Sequence, residues 1–460
     1  MKDESLQHRA PRLYAPWERA FDKLATPFEE FLHRQTSAGL LLLVTTAIAL
    51  ILANTVWFVQ YQQLLQTHLV VGVAAYRIDL SLHHWINDGL MALFFFVVGL
   101  EIKREFIAGE LADWRNAMLP IVAAVGGMIV PALLYTAINH DTAGAAGWGI
   151  PMATDIAFAI SALVVLGARV PKALVIFLVT LAIVDDLGAV AVIALCYTDA
   201  IATLPLAIAV AALACAAALN LAGVHRPIPY AVAGVVMWAA MLASGVHATI
   251  AGVLIAFAIP ALPKIQPRYF ARQLRALADA YDKFPASADH QLHEEQKGVI
   301  QNVSDTARSV QPLLQRSEHL LHLPVSLLVL PVFALANAAI PLEWSGLRAS
   351  LASPVALGVI VGLVAGKALG ITLFAWLAIR TGIARHPRDA SMGQIAGVGL
   401  LGGIGFTMSI FISELAFRNS PADMLDAKVG ILFASLIAGI TGYIVLYRLG
   451  ANPRRPGDTI

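Results

Sequence analysis

Four ionisable residues stand near the middle of long apolar runs: Asp155, Asp185, Asp186 and Lys367. At the centre of a bilayer such a side chain costs at least ~2.5–3.5 kcal/mol, so each is a functional suspect by default. Three carboxylates against one lysine leave negative charge in a place where it is expensive, and a bound cation or a proton relieves it. Asp185 and Asp186 are neighbours, and neighbours on a helix point about 100° apart. They cannot aim at one point, but both can border one cavity. One can pair with Lys367 while the other faces water and a transported ion. The chemistry this allows is reversible binding of a cation or of protons. The competing reading is a buried ion-pair network that only holds helices together.

Backbone breaks accompany these charges. The stretch Gly397–Ser409 carries five glycines, Gly397, Gly399, Gly402, Gly403 and Gly405, each costing about 1 kcal/mol in a helix relative to alanine. Non-helical backbone is tolerated at membrane depth where it lines a cavity or is packed in protein. A second candidate break is Gly147–Pro151 followed by Thr154 and Asp155. Tight packing alone is the alternative use of these glycines. Gly362, Gly366 and Gly370 recur every four residues around Lys367, a spacing that lets another helix approach closely. Gly366-Lys367 is not a phosphate loop, because Ala368 stands where a hydroxyl is needed. Nor do adjacent aspartates on one helix supply the facing pair of an aspartyl protease. His247 stands at the end of a span, where a packed or capping role is the ordinary one.

These residues need membrane-spanning elements to hold them. Of 460 residues, 58% are hydrophobic and 13% charged, against about 45–50% and about 25% in a soluble domain. That excludes a typical soluble enzyme, a disordered chain and a disulfide scaffold. Apolar windows near the ~20-residue length of a crossing helix predict an all-α polytopic membrane protein of about twelve transmembrane helices. They run near Gly39–Phe58, Ile86–Ile102, Met118–Ile138, Gly147–Val165, Ala173–Tyr197 and Leu204–Leu221. The second half supplies Tyr230–Leu242, His247–Pro260, Pro324–Ile340, Pro354–Ile379, Gln394–Phe417 and Ala427–Tyr447. With both termini cytoplasmic, the outer side holds only Arg77, Arg348, Arg418 and Lys428. All other basic residues except Lys367 then fall inside, as the positive-inside rule requires.

The organisation expected is a cytoplasmic amino-terminal segment at 1–36, spans one to eight over 37–260, and a long cytoplasmic loop at 261–323. Spans nine to twelve follow over 324–447, with a cytoplasmic tail at 448–460. The amino terminus lacks the pattern of a cleaved signal peptide. Leu69–Leu80 alternates around a small-residue centre and predicts an outer-face hairpin near 69–80, with an irregular loop as the alternative. Two strands alone are marginal in water, so an edge from a second subunit would help. In the long loop, balanced charge argues against a polybasic lipid-binding strip, and Arg272–Tyr281 fits a short amphipathic helix. Cys196 and Cys215 lie in apolar runs and read as small core residues. With a net charge of +1, no nucleic-acid partner is expected, and with no other nucleotide motif in the sequence neither ATP nor a cofactor is expected.

The chain resembles the NhaA-type bacterial sodium/proton antiporters from about residue 36 to 447. The segments that carry the likeness are Trp85–Met91, Val98–Glu105, Ala153–Phe158, Asp185–Gly188, Gly245–Thr249, Phe333–Ala338 and Gly402–Phe411. The resemblance implies inverted repeats relating spans three to five to spans ten to twelve, a property for which this family is a standing example. It also implies two discontinuous helices crossing near the bilayer midplane, the second broken around Gly399, Gly402, Gly403 and Gly405. On it, Asp185 and Asp186 are the ion- and proton-binding pair. Asp155 and Thr154 compensate charge at the crossing, and Lys367 pairs with the first aspartate. Glu101, Glu105, His247 and Glu318 match positions tied to pH response, and Asp88 another acidic position. The implied activity is electrogenic export of Na⁺ or Li⁺ against entering H⁺, activated at alkaline pH. It would serve pH and sodium homeostasis in the bacterial inner membrane, as a homodimer joined through the hairpin. A sodium-coupled symporter, a channel and an intramembrane hydrolase are the rivals. No metal is expected beyond transported Na⁺.

Overall fold

A computed structural model describes residues 35–450 except 74–75, 199–200, 285–292, 342–343 and 388–389. Nearly all of the expected segment 1–36 and most of the tail 448–460 lie outside the described residues. The chain opens with α1 (Gln35–Ala53) and α2 (Phe58–Gln66), bent by 111° to each other. An antiparallel hairpin follows, β1 (His68–Val73) on β2 (Tyr76–Ser81), with Val70 opposite Asp79. Next come α3 (Leu82–Ala108), α4 (Trp114–Asn139), a 3₁₀ segment at Ala143–Met152 and α5 (Ile156–Leu166). The long α6 (Lys172–Cys196) carries the adjacent aspartates. It is followed by α7 (Thr203–Leu221), α8 (Pro227–Ser244) and the short α9 (Ile250–Ala258).

Among the described residues, eight helices are long and apolar enough to cross a bilayer, or up to eleven if each of three bent pairs counts as one span. The expected span His247–Pro260 contains only the nine residues of α9, about 13.5 Å of helix against a ~30 Å hydrocarbon core. Its carboxyl end is met by Lys103, whose Nζ donates to Phe257 O at 2.7 Å and Ile259 O at 2.5 Å. A cation on the last carbonyls of a helix is favourable. The turn between α8 and α9 passes through Gly245 at φ +84°, a left-handed conformation that stops α8 and that glycine adopts without steric cost.

The 261–323 loop folds into α10 (Pro267–Tyr281) and α11 (Glu294–Val310). Its end is earlier than read: α12 runs unbroken over Leu313–Asn337 rather than starting at Pro324. Pro324 lacks an N–H, and the π turn Val325–Val329 follows directly after it. Then come α13 (Trp344–Leu351), α14 (Pro354–Arg380), the bent pair α15 (Met392–Leu401) and α16 (Phe406–Ala416), and α17 (Pro421–Leu449). Two further π turns lie at Trp85–Leu90 in α3, which holds Asp88, and at Gly362–Gly366 in α14, just before Lys367.

Helix α14 packs closely on α4. A Cβ on Gly126 would strike the carbonyl of Gly370, and one on Gly370 would strike that of Gly126. The small-residue spacing around Lys367 thus brings two backbones into contact. Helices α7, α8 and α9 share a separate core with Leu100 of α3. Cys196 and Cys215 are exposed on the protein surface, contrary to the expectation of core residues. On a helix apolar all round, polarity does not mark which face turns inward.

Candidate ion-binding site

The two bent pairs meet break to break. The Ala143–Met152 segment and α5 differ in direction by 42°, and α15 and α16 by 51°. At the meeting point Asp155 N–H donates to Ile404 O at 2.6 Å, and Thr154 Oγ1 lies 2.8 Å from Gly402 O. Asp155 caps α5 through Phe158 N–H at 3.1 Å. Its other oxygen accepts from Thr407 N–H at 3.0 Å and Thr407 Oγ1 at 2.5 Å. One carboxylate therefore serves the amino ends of α5 and α16, where helix dipoles favour negative charge. It has neutral donors on both oxygens.

Gly402, Gly403 and Gly405 fall at the break, while Gly399 lies inside α15 and not at it. Gly402 and Gly405 keep right-handed backbone angles. Space is what requires a glycine here: a Cβ on Gly403 would meet Leu363 O.

Asp185 and Asp186 sit mid-way along α6, exposed by 0% and 1%. Lys367, also at 0%, places Nζ 2.5 Å from Asp185 Oδ2. Thr154 Oγ1 reaches the same oxygen at 2.7 Å. Among the described residues, Asp185 Oδ1 and both oxygens of Asp186 have no hydrogen-bond partner. Asp186 instead borders a cavity of about 530 Å³ that also exposes Asp155, Thr407, Glu101 and His319. A buried carboxylate with no donor of its own beside a cavity stands where a cation or a proton would relieve its charge.

Of the four pH-response candidates, three come together. Arg104 Nη1 donates to Glu318 Oε1 at 2.6 Å and Nη2 to Glu105 Oε1 at 2.9 Å, with Glu101 at 3.9 Å. His247 stands apart, beside Asp88 at 3.9 Å and with Nε2 2.8 Å from Arg418. These line a different cavity, of about 440 Å³, together with Glu414. Glu414 is bound to Lys428 at 2.5 Å. It lies inside the eleventh expected span, so the same criterion of charge within an apolar run that marks Lys367 also marks Glu414. Thr407 and Arg418 carry no such signal, since their roles arise only from contacts across the fold.

Residues 29–446 match the family model described as Na⁺/H⁺ antiporter 1. The chain is 54% identical over 435 residues to the Na(+)/H(+) antiporter NhaA of Sulfurimonas denitrificans, covering 95% of this chain and 98% of that protein. It belongs to the NhaA Na⁺/H⁺ antiporter family. Similar relatives include NhaA 1 of Saccharophagus degradans, 48% identical over 96% of each chain. NhaA of Dichelobacter nodosus is 45% identical over 97% of this chain and 96% of its own. As a chain of the NhaA family with several apolar spans, the protein is a multi-pass membrane protein.

Proposed function

We propose that the protein exports Na⁺, or Li⁺, in exchange for protons entering from outside, with Asp185 and Asp186 binding ion and proton in turn. The observation that carries this reading is Asp186, which has no hydrogen-bond partner among the described residues and borders a cavity one residue from the lysine-bound Asp185. Without protons, the carboxylate pair takes the cation from one side. Movement of the bent pairs against the rest of the bundle exposes it to the other, where protons displace it. Thr154 and Asp155 hold the crossing of the two discontinuous helices, and Lys367 balances charge.

The reading extends to twelve spans with α9 as the short eighth, both termini cytoplasmic, in a bacterial inner membrane. Exchange is electrogenic when more than one proton enters per cation, and it is activated at alkaline pH by the carboxylates around Arg104. It serves pH and sodium homeostasis, and the protein works as a homodimer joined through the 68–81 hairpin. The test is Na⁺-induced dequenching of a pH dye in proteoliposomes, scanned over pH and ion, beside Asp186→Asn. Saturable proton release with Na⁺ or Li⁺ that Asp186→Asn abolishes supports the proposal. Solute-dependent Na⁺ entry without proton release would make it a symporter, and non-saturating conductance a channel.

A further inference from the structure

Helices α1, α5 and α17 leave a groove of about 500 Å³ between them. Its rim is apolar and open: Leu40 and Leu43 of α1, Val165 of α5, and Leu436 and Ile440 of α17 are each more than half exposed. On a membrane-spanning surface such a rim faces hydrocarbon, so the groove fills from the bilayer. Along α17 it runs from Leu432 to Ile444, about 18 Å of helix and close to one leaflet of a ~30 Å hydrocarbon core. One end is the crossing of the broken helices. Phe158, Ile404 and Phe406 line it there, with the Phe158 and Phe406 rings edge-on at 5.4 Å. Asp155 and Thr407, from the same two breaks, border the Asp186 cavity instead. The other end is basic. Tyr443 lines the groove and stacks on Tyr447 at 6.2 Å, and the Arg169 guanidinium lies 4.0 Å over the Tyr447 ring. Lys172 and Arg448, both exposed, stand close by in sequence. The chain has no Asp or Glu at 156–184 or 427–450, so neither the turn into α6 nor the end of α17 supplies an acid to offset them.

We infer that this groove binds one acyl chain of an anionic phospholipid, with the phosphate at Arg169 and the chain end against Phe158 and Phe406, and that the lipid braces the crossing of the two broken helices. The inference goes beyond the proposed exchange and does not depend on it. An apolar slot one leaflet long suits an extended hydrocarbon chain and offers a compact polar ligand nothing. Inside a bilayer the chain gains van der Waals packing rather than escape from water. The basic end then decides which lipid stays, because Lys and Arg at the surface attract an anionic headgroup and not a zwitterionic one. The groove rings and the carboxylate of Asp155 belong to the same breaks, so a filled groove limits how far α5 and α16 can part.

Native mass spectrometry of the detergent-purified full chain, titrated with phosphatidylglycerol or phosphatidylcholine, tests this. We expect one phosphatidylglycerol per chain, held about tenfold more tightly than phosphatidylcholine, the scale of one or two basic contacts at a headgroup. Arg169→Gln with Lys172→Gln should remove that preference. Gly439→Leu adds bulk inside the groove, where a Cβ meets Ile404 at an ordinary 3.5 Å, and should remove the bound lipid. Phosphatidylglycerol should also raise the melting temperature of the unaltered protein in step with its concentration and leave that of Gly439→Leu unmoved. Should Gly439→Leu not fold, Ala162→Leu, on the α5 wall of the groove, gives the same readings. Equal retention of the two lipids would mark ordinary boundary lipid and overturn the inference. A preference that survives the Arg169 and Lys172 substitutions, or lipid binding unchanged by filling the groove, would overturn it as well. So would a lipid-free dimer that Gly439→Leu splits, which would put a second copy of the chain in the groove. None of these readings involves ion movement, so they fail separately from the proposed exchange.

Discussion

Lys367 Nζ rests 2.5 Å from Asp185 Oδ2 with both side chains at zero exposure. Thr154 Oγ1 has the same oxygen and Gly402 O as neighbours, at 2.7 and 2.8 Å, and only one hydrogen to give. When Asp185 is charged, that hydrogen serves Asp185. When Asp185 carries a proton, the hydroxyl is free to turn to the carbonyl at the break. Thr154 thus stands between a carboxylate of α6 and the backbone at the break between α15 and α16.

The first prediction follows from that ion pair. Lys367→Ala leaves Asp185 as an unpaired buried carboxylate and should cost about 3–5 kcal/mol of stability. Adding Asp185→Asn should recover much of the loss. Thermal melting reads both, and current recorded with proton flux reads charge per turnover, which should be unchanged. A fall in protons moved per cation at unchanged stability would instead make the lysine an obligatory proton carrier.

Asp186→Asn should behave in the opposite way. Among the described residues both its oxygens lack partners, so the amide forfeits no hydrogen bond and the melting temperature should hold or rise. Na⁺-driven proton release and Na⁺ binding by calorimetry should both drop to background. Full exchange by this variant would remove Asp186 from the site.

Glu105→Gln combined with Glu318→Gln removes the two negative charges closest to Arg104 while keeping an oxygen acceptor at each position. Fewer carboxylates then compete for charge around Glu101, so the onset of activity should move to lower pH by about one unit, the scale on which a charge ~4–6 Å away acts. Maximal exchange should persist. The dye assay, scanned over pH, checks this, and an unchanged curve would reduce the cluster to a local anchor.

Gly370→Ala should destabilise the α4–α14 contact by about 1–3 kcal/mol despite the better helix propensity of alanine, because the added methyl meets the Gly126 backbone. Gly346→Ala, at a position with nothing within 4 Å, is the control and should be neutral or mildly stabilising.

Deleting Leu69–Leu80 tests the assembly proposal. Leu69, Val70 and Val71 are about half exposed on β1, and a two-stranded sheet leaves both outer edges open. The shortened chain should elute as a monomer and still exchange ions. Cross-linking that stays dimeric would place the interface elsewhere.

What the sequence made legible depends on how local the signal was. Asp155, Asp185, Asp186 and Lys367 stand out because each breaks an apolar run; the structure gathers Asp155, Asp185 and Lys367 into two hydrogen-bonded clusters, with Asp186 beside them in sequence and bordering the cavity. The expected span at Pro324 starts eleven residues after α12 does, because an apolar window passes over the first turns of that helix, which carry Arg316, Glu318, His319 and His322. Cys196 and Cys215 were misplaced inward because an apolar helix shows no polar face to contrast with. Thr407 and Arg418 were invisible, since a hydroxyl near a break or an arginine at a span end means nothing until its partner is known. The grouping of Glu101, Glu105 and Glu318, and the separation of His247 from them, likewise needed three-dimensional contacts.

The π turn at Gly362–Gly366 has a genetic reading. Such a turn holds one residue more than the α turn it replaces, and one residue is worth about 100° of rotation. Lys367 begins the helical stretch directly after it, so its bearing toward Asp185 depends on that extra residue. Loss of a single codon within this segment would change no side chain of the site. It would turn the lysine away from its carboxylate, a lesion that no catalogue of point substitutions would contain.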